Sequence, residues 1–517
     1  MSKASDMKMT RREFSAITAA AAAVQSVSGF AVAKEKAHDP ATPELTSLTL
    51  SQAAAKVRSG ELTSTQLVQA CLDRIAIYNP KLDAFITVMK QQALAQAARL
   101  DAEQKAGRLH GPLHGVPIAI KDNIDTAGVR TTGGSAVFED RVPEEDAPVV
   151  ARLKSAGAVI IGKTNLQEFA MGGGETSFWG PARNPWNLAH NTGGSSSGSG
   201  AAVCAGLSYG ALGTDTGGSV RMPASYCGIV GLKPTYGLVP IRGIIPLTLS
   251  LDHCGPMTRT VEDTALLLGI MAGYDKLDIT SVEHAREDYL RALQQPINNL
   301  RLGVPAGYFD AVQPEVAAAV QSAIDSLGKM TAGVKDVNLP SVTHLANLGQ
   351  LGETFAWHEQ YFEHAPTKYM LPERRRLETL AAAPPRAVDY IRAKWELETL
   401  RRTVDDAFTD FDLVVLPTQR IVAPTLTELI TRAHDVKPID PLVTSNCQPF
   451  DVFGIPAISI PCGFSKSGLP IGLMIAGPRF CEGKVLALAN AFERATQWHL
   501  RQPPLTPETP VPVIAVA

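Results

Sequence analysis

The apolar positions of this chain follow two rhythms. Thr63 and Gln66 have the spacing of a capping box, and Leu67, Val68, Cys71, Leu72 and Ile75 then recur along one helix face. A second helical stretch spans residues 91–105 and stops at Gly107. Elsewhere the apolar residues come in short unbroken runs. One covers residues 115–120 and ends on Lys121-Asp122-Asn123; another covers 159–162, with a helix start expected at Thr164 or Asn165. Runs of the same kind occupy 413–416, 457–460 and 471–475. Such runs suit strands buried on both faces, and their alternation with helices predicts an α/β fold. The expected architecture is one large domain, a mixed, mostly parallel twisted sheet covered by helices on both faces. Its core lies at about 45–270 and 410–495, with a charged helical insertion over about 274–408 packed on the sheet. No internal repeat or low-complexity linker divides residues 34–517.

The first thirty-three residues have a different pattern. A polar, basic opening leads to Thr10-Arg11-Arg12-Glu13-Phe14, then an apolar run from Ser15 to Val27, then Ala31-Val32-Ala33. Basic region, apolar region and a small-residue site in that order have the form of a bacterial export signal. The paired arginines resemble the twin-arginine variety, which carries folded proteins to the periplasm or beyond. Residues 1–33 are therefore expected to be an export signal and 34–517 the functional domain. The apolar run is short and rich in alanine, and no later stretch approaches the ~20 apolar residues of a membrane helix. No membrane anchor is expected in the mature chain.

Composition narrows the function. Apolar residues make up 45% and charged residues 19% of 517, which excludes disordered and collagen-like classes. The formal net charge is −3, and loss of residues 1–33, which carry four cations and two carboxylates, leaves −5. Without a basic excess or run, a nucleic-acid partner held through its phosphates is not expected. Seven cysteines, at 71, 204, 227, 254, 447, 462 and 481, are scattered and odd in number. They form no disulfide framework and no Cys-x-x-Cys zinc pair, and Cys204, Cys227 and Cys462 read as core thiols. An individual disulfide stays open, its pairing undetermined.

The chemistry concentrates where glycine does. Gly193-Gly194-Ser195-Ser196-Ser197-Gly198-Ser199-Gly200 is followed by Gly213-Thr214-Asp215-Thr216-Gly217-Gly218-Ser219-Val220-Arg221. Glycines at this density let backbone turn sharply or approach a ligand closely, and consecutive N–H groups make anion-binding concavities. A phosphate loop would need Gly-x-x-x-x-Gly-Lys-Ser/Thr, which is absent. Taken alone, residues 193–200 could equally be a flexible linker.

Together with Lys121, these two segments resemble the amidase signature family of serine hydrolases. The resemblance continues through Gly111-Pro112-Leu113-His114-Gly115-Val116-Pro117, Thr164-Asn165-Leu166-Gln167-Glu168-Phe169, Asn184-Pro185-Trp186-Asn187 and Cys227-Gly228-Ile229-Val230-Gly231-Leu232-Lys233-Pro234-Thr235. It extends through Gly255-Pro256-Met257-Thr258-Arg259, Gly454-Ile455-Pro456-Ala457 and Gly468-Leu469-Pro470-Ile471-Gly472-Leu473. The family pattern implies Ser219 as the acylated nucleophile, Ser195 as a bridging serine on a cis peptide bond, and Lys121 as the base. The 24-residue interval from Ser195 to Ser219 selects Ser195 over Ser196 or Ser197. One departure is Ser197, where the family usually has glycine.

Elementary chemistry agrees with those roles. A serine hydroxyl needs a neighbouring base, and neither glycine-serine segment contains histidine. A solvated lysine, with its pKa near 10.4, would be charged and ineffective, but burial at the end of an apolar strand lowers it. Backbone N–H groups of Thr216, Gly217, Gly218 and Ser219 are candidates for holding an oxyanion. Met171, in a segment that the resemblance places near the substrate channel, could line an acyl pocket or belong to the core. Phe178 and Trp179 read as core residues, with channel aromatics as the alternative. Asp215 with Arg221 reads as a loop-stabilising ion pair, Asp122 and Asn123 as loop-holding residues, and His110, His114 and Lys233 as structural.

The function implied is an exported amidase that cleaves a carboxylic amide C–N bond to a carboxylate plus ammonia or an amine. Its partner would be a small-molecule or peptide amide substrate, and the enzyme would be a monomer or homodimer that needs no metal, nucleotide or redox cofactor. Two alternatives stay open. One is an amidotransferase component that acts on charged tRNA with an ammonia-tunnelling partner, which an export signal and an acidic balance oppose. The other is a catalytically silent binding protein, which the intact Lys121, Ser195 and Ser219 oppose.

Overall fold

The computed structural model describes residues 42–172, 176–434 and 446–514. The expected export signal lies outside the described residues. The expected capping box forms: Thr63 accepts from Gln66 N, and the Gln66 side chain accepts from Thr63 N, at the start of helix Ser64–Leu82. The apolar stripe read from the sequence is the buried face of that helix.

Eleven strands make one mixed sheet. In chain order they are β1 (Phe85–Val88), β2 (Pro117–Lys121), β3 (Val159–Thr164), β6 (Gly210–Asp215), β7 (Val230–Lys233), β8 (His253–Thr258), β9 (Arg301–Pro305), β10 (Gly333–Val337), β11 (Leu413–Pro417), β12 (Ala457–Phe464) and β13 (Pro470–Ala476). A separate antiparallel ribbon consists of β4 (Arg183–Asn184) and β5 (Asn187–Asn191). The order across the large sheet is β1-β3-β2-β6-β8-β7-β12-β13-β11-β9-β10. Parallel pairing occurs in two blocks, β3-β2-β6 and β11-β9-β10. Antiparallel strands join them through the middle. Successive residues of a strand point to opposite faces, and every residue of β2, β3, β6, β8, β11 and β13 is buried. Both faces of the sheet are therefore covered. Helices Pro314–Gly328 and Glu482–Thr496 pack on β12 and β13, and Ser197–Cys204 packs on β2, β3 and β6.

Two expectations change. The stretch 274–408 is not purely helical: β9 and β10 lie within it and extend the sheet to one edge. No helix starts at Thr164 or Asn165 either. Asn165 instead spends its side chain on loop backbone, donating to Asp83 O and Gly180 O and accepting from Leu166 N. The chain then makes a short 3-10 turn, Glu168–Ala170, with Phe169 and Ala170 at positive φ. The seven cysteines are free thiols, so none of the disulfides left open by spacing forms. No helix among the described residues is long and apolar enough to cross a membrane.

Candidate active site

The site is assembled at the ends of two adjacent parallel strands. Apolar residues fill β2 up to its last position, where Lys121 enters the interior completely buried. The neighbouring β6 ends on Thr214 and Asp215, and the chain turns there through Thr216-Gly217-Gly218 into Ser219. Lys121 Nζ donates to Ser195 Oγ at 2.8 Å and to Thr214 Oγ1 at 2.7 Å. Ser195 follows a cis peptide bond from Gly194. The next residue, Ser196, ties the end of β6 to the Ser219 loop. Its N–H donates to Ser219 O at 3.3 Å, its hydroxyl donates to Thr214 O at 3.1 Å, and the same hydroxyl lies 3.2 Å from Thr214 N. Thus Lys121, Ser195 and Ser219, which are far apart in sequence, are brought into one cluster. Lys121 and Ser195 are buried, whereas Ser219 and Gly217 are partly exposed, so the cluster opens to solvent at Ser219.

Burial lowers the Lys121 ammonium to about 7, against the pull of the Asp215 and Asp252 carboxylates. A lowered lysine is not by itself diagnostic here. Burial also lowers Lys163 to about 8 and Lys233 to about 7. Lys163 donates to Ile124 O and Thr131 Oγ1, and Lys233 to Pro234 O and Ile455 O, with His253 Nε2 at 3.2 Å. Of the three, Lys121 is the one hydrogen-bonded to a serine beside Ser219.

A buried ion pair underlies the Ser219 loop. Asp215 accepts from Gly218 N at 2.6 Å, Val220 N at 3.0 Å and Arg221 Nε at 3.0 Å. Burial would raise the Asp215 carboxyl, but the Arg221 guanidinium beside it holds it well below the usual carboxylate range. Arg221 also donates to Asp451 Oδ2 at 2.6 Å and to Cys447 O at 2.9 Å. The pairing expected of Asp215 and Arg221 is therefore present, and it fixes the loop by its backbone.

That bond revises one candidate. Gly218 N–H is committed to Asp215 and does not face a reacting atom. The φ of Gly218 is +123°, and a Cβ there would sit 2.6 Å from Cys447 Cβ, so this glycine serves the shape of the loop. Among the described residues, the N–H groups of Thr216, Gly217 and Ser219 have no protein acceptor. The Thr216 hydroxyl donates to Asp252 Oδ1 at 2.5 Å. Met171 lies in a buried cluster with Phe138, Phe169, Ile245, Leu247, Tyr369 and Leu377, which is the core alternative of its two readings.

The remaining expectations divide. Asp122 accepts from Thr132 N and Oγ1 and holds its loop, while Asn123 Nδ2 reaches Thr214 Oγ1 at 3.2 Å. His114 is bonded to His110 N and Leu100 O, a structural setting. Trp179 packs under Arg130 and donates to Thr132 Oγ1, but Phe178 is 43% exposed and does not belong to the core. Ser197 is accommodated as the first residue of helix Ser197–Cys204. The sequence pattern assigned no role to Thr214 or Asp252, the partners of Lys121 and Thr216. Thr214 sits inside the singled-out Gly-Thr-Asp segment, one residue before Asp215, and that position was the available signal; Asp252 carried none.

Comparison with known proteins places this geometry in a family. The family model described as Amidase matches residues 66–486, and the chain belongs to that family. It is 43% identical to the glutamyl-tRNA(Gln) amidotransferase A-subunit of Roseiflexus sp. (strain RS-1), over 89% of this chain and 99% of that one. The counterpart of the same name from Moorella thermoacetica is 41% identical over the same share of each. Among solved structures, 6-aminohexanoate cyclic dimer hydrolase superposes with a TM-score of 0.81 at 29% identity, covering 89% of this chain and 99% of that one. The peptide amidase of Stenotrophomonas maltophilia superposes with a TM-score of 0.77 at 34% identity, covering 88% and 98%.

Proposed function

We propose that this chain cleaves a carboxylic amide through an acyl-serine intermediate on Ser219. The observation that carries the reading is the 2.8 Å hydrogen bond from the buried Lys121 to Ser195, within a cluster that also holds Ser219. In its neutral form Lys121 takes the proton of Ser195 as Ser195 takes that of Ser219. The Ser219 oxygen then adds to the amide carbonyl. The N–H groups of Thr216, Gly217 and Ser219 are the donors available to the oxyanion. Return of the proton along the relay to the nitrogen lets the C–N bond break and ammonia or an amine leave. Water then adds to the acyl ester and releases the carboxylate and Ser219.

The amidotransferase relatives support a finer reading in which the released ammonia is handed on within a tRNA-dependent amidotransferase; free glutamine is the simple amide donor we propose for it. A stand-alone exported amidase is the second reading, and the pattern of residues 1–33 favours it. One experiment separates them: ammonia release from glutamine and from a panel of aryl and peptide amides, measured with Ser219→Ala as control. Turnover of glutamine alone, with the protein retained in the cytoplasm, supports the first. Turnover of other amides by a protein shortened at its N-terminus and recovered from the periplasm supports the second. No Ser219-dependent ammonia from any amide refutes both.

A further inference from the structure

One cavity is lined by none of Lys121, Ser195 and Ser219. It encloses about 860 Å³, within the ~300–1,000 Å³ range of small-molecule sites. Tyr236, Trp357, Tyr390 and Phe480 form aromatic walls, and Leu249, Ile279 and Val282 form an apolar lip on which Ile279 is 88% exposed.

Its charge is unbalanced. Four cations line it, Lys394, Arg401, Arg402 and Arg479, against the carboxylates of Glu353 and Glu398. Glu353 is already engaged, accepting from Tyr390 OH at 2.6 Å and Ser250 N at 2.8 Å, with Lys394 at 3.8 Å. Arg479 is paired with Asp405 outside the lining. Arg402 is exposed and has no partner among the described residues. Arg401 is 4% exposed, stacks 3.9 Å over the Tyr236 ring and donates to backbone oxygens, yet its buried Nη1 has no hydrogen-bond partner among the described residues. Aromatic walls with an excess of positive charge suit a flat apolar body bearing one anionic group.

The floor of this cavity is joined to the Ser219 loop by two hydrogen-bonded routes. Arg401 Nη2 donates to Ser250 O, and two residues on Asp252 accepts from Thr216 Oγ1. Arg401 also donates to Asp451 O, and the Asp451 carboxylate holds Arg221, which braces Asp215. We propose that this cavity is a second ligand site that takes an aromatic carboxylate and that its occupancy steadies the 214–222 loop.

The test uses the full chain and 2-naphthoate as probe, with 2-naphthylmethanol as its uncharged counterpart. Calorimetry follows binding to wild type, to a Lys394→Glu/Arg402→Glu double variant, and to Ile279→Glu, whose exposed position leaves folding untouched. Amide hydrogen exchange of residues 214–222 is followed in the same samples, a readout that does not depend on Ser219 being the nucleophile. Saturable binding of naphthoate is expected to weaken at least ten-fold in both variants and with the alcohol, and to slow exchange of 214–222 in wild type only. Equal affinity in the double variant or for the alcohol, no saturable binding, or bound probe without slower exchange would each overturn the proposal.

Discussion

Lys121 Nζ donates to Ser195 Oγ at 2.8 Å where neither residue is reached by solvent. A charged ammonium there would lack a water shell and could accept no proton. Burial lowers Lys121 to about 7 despite the Asp215 and Asp252 carboxylates, and the neutral amine is the form a relay needs. The acid limb of kcat/KM is therefore expected to have its midpoint near pH 7, with activity falling as pH drops through it. A profile flat down to pH 5 would contradict a lysine base.

The same group links stability to pH. A lysine lowered in the folded state is neutral there and protonated in the unfolded chain between about pH 7 and its ordinary value near 10.5. The unfolded state then binds more protons, so the contribution of Lys121 to stability rises with pH across that window. Relative to Lys121→Met, wild type is expected to gain up to about 1.4 kcal/mol per pH unit between pH 7.5 and 9.5. Denaturant titrations of both proteins at several pH values measure this; a constant difference would mean that Lys121 is charged in the fold.

Arg221 stands between two buried carboxylates that it does not treat alike. It holds Asp215 low, while burial raises Asp451 well above its ordinary value and the Asp215 charge reinforces the rise. Burial therefore disfavours the charged form of Asp451, and replacing it by asparagine is expected to disturb the pair less than the same change at Asp215. Asp215→Asn removes the carboxylate that Arg221 holds low and is expected to cost about 3–5 kcal/mol; Asp451→Asn is expected to cost less, about 1 kcal/mol. Urea midpoints of the two variants distinguish this order from equal costs.

Gly198 and Ser197 are neighbours with opposite tolerance. A Cβ on Gly198 would lie 2.2 Å from Ala84 O and 2.4 Å from Asn165 N, both backbone atoms that cannot swing away. Gly198→Ala is expected to destabilise by roughly 3 kcal/mol or more. Ser197→Gly, which restores the commoner family residue at a helix start, is expected to change stability by less than about 1 kcal/mol. Thermal unfolding of both variants checks the contrast.

Much of this was legible in the chain because it is local. The apolar run of β2 points directly to its last residue, Lys121, and the glycine clusters mark the turns that present Ser195 and Ser219. The capping box at Thr63 is a three-residue signal that formed as read. What stayed hidden depends on distant partners. In β10 three of five residues are exposed, including Lys335 and Asp336, so this edge strand carries no apolar run to betray it. Thr164-Asn165 has the residue types of a helix cap, but Asn165 bonds to Asp83 and Gly180 and keeps the chain in a loop. Asp252 supports Thr216 from 36 residues away, a contact that no local pattern announces.

The most direct test is covalent labelling with a fluorophosphonate, followed by mass spectrometry of the modified peptide and the labelling rate in variants. With Ser219 as nucleophile and Lys121 as base, the phosphonyl group is expected on Ser219 in wild type, and the rate is expected to fall at least about a hundred-fold in Lys121→Met and Ser195→Ala. A label on Ser195 or another serine, or Lys121→Met labelled on Ser219 at the wild-type rate, would contradict these roles.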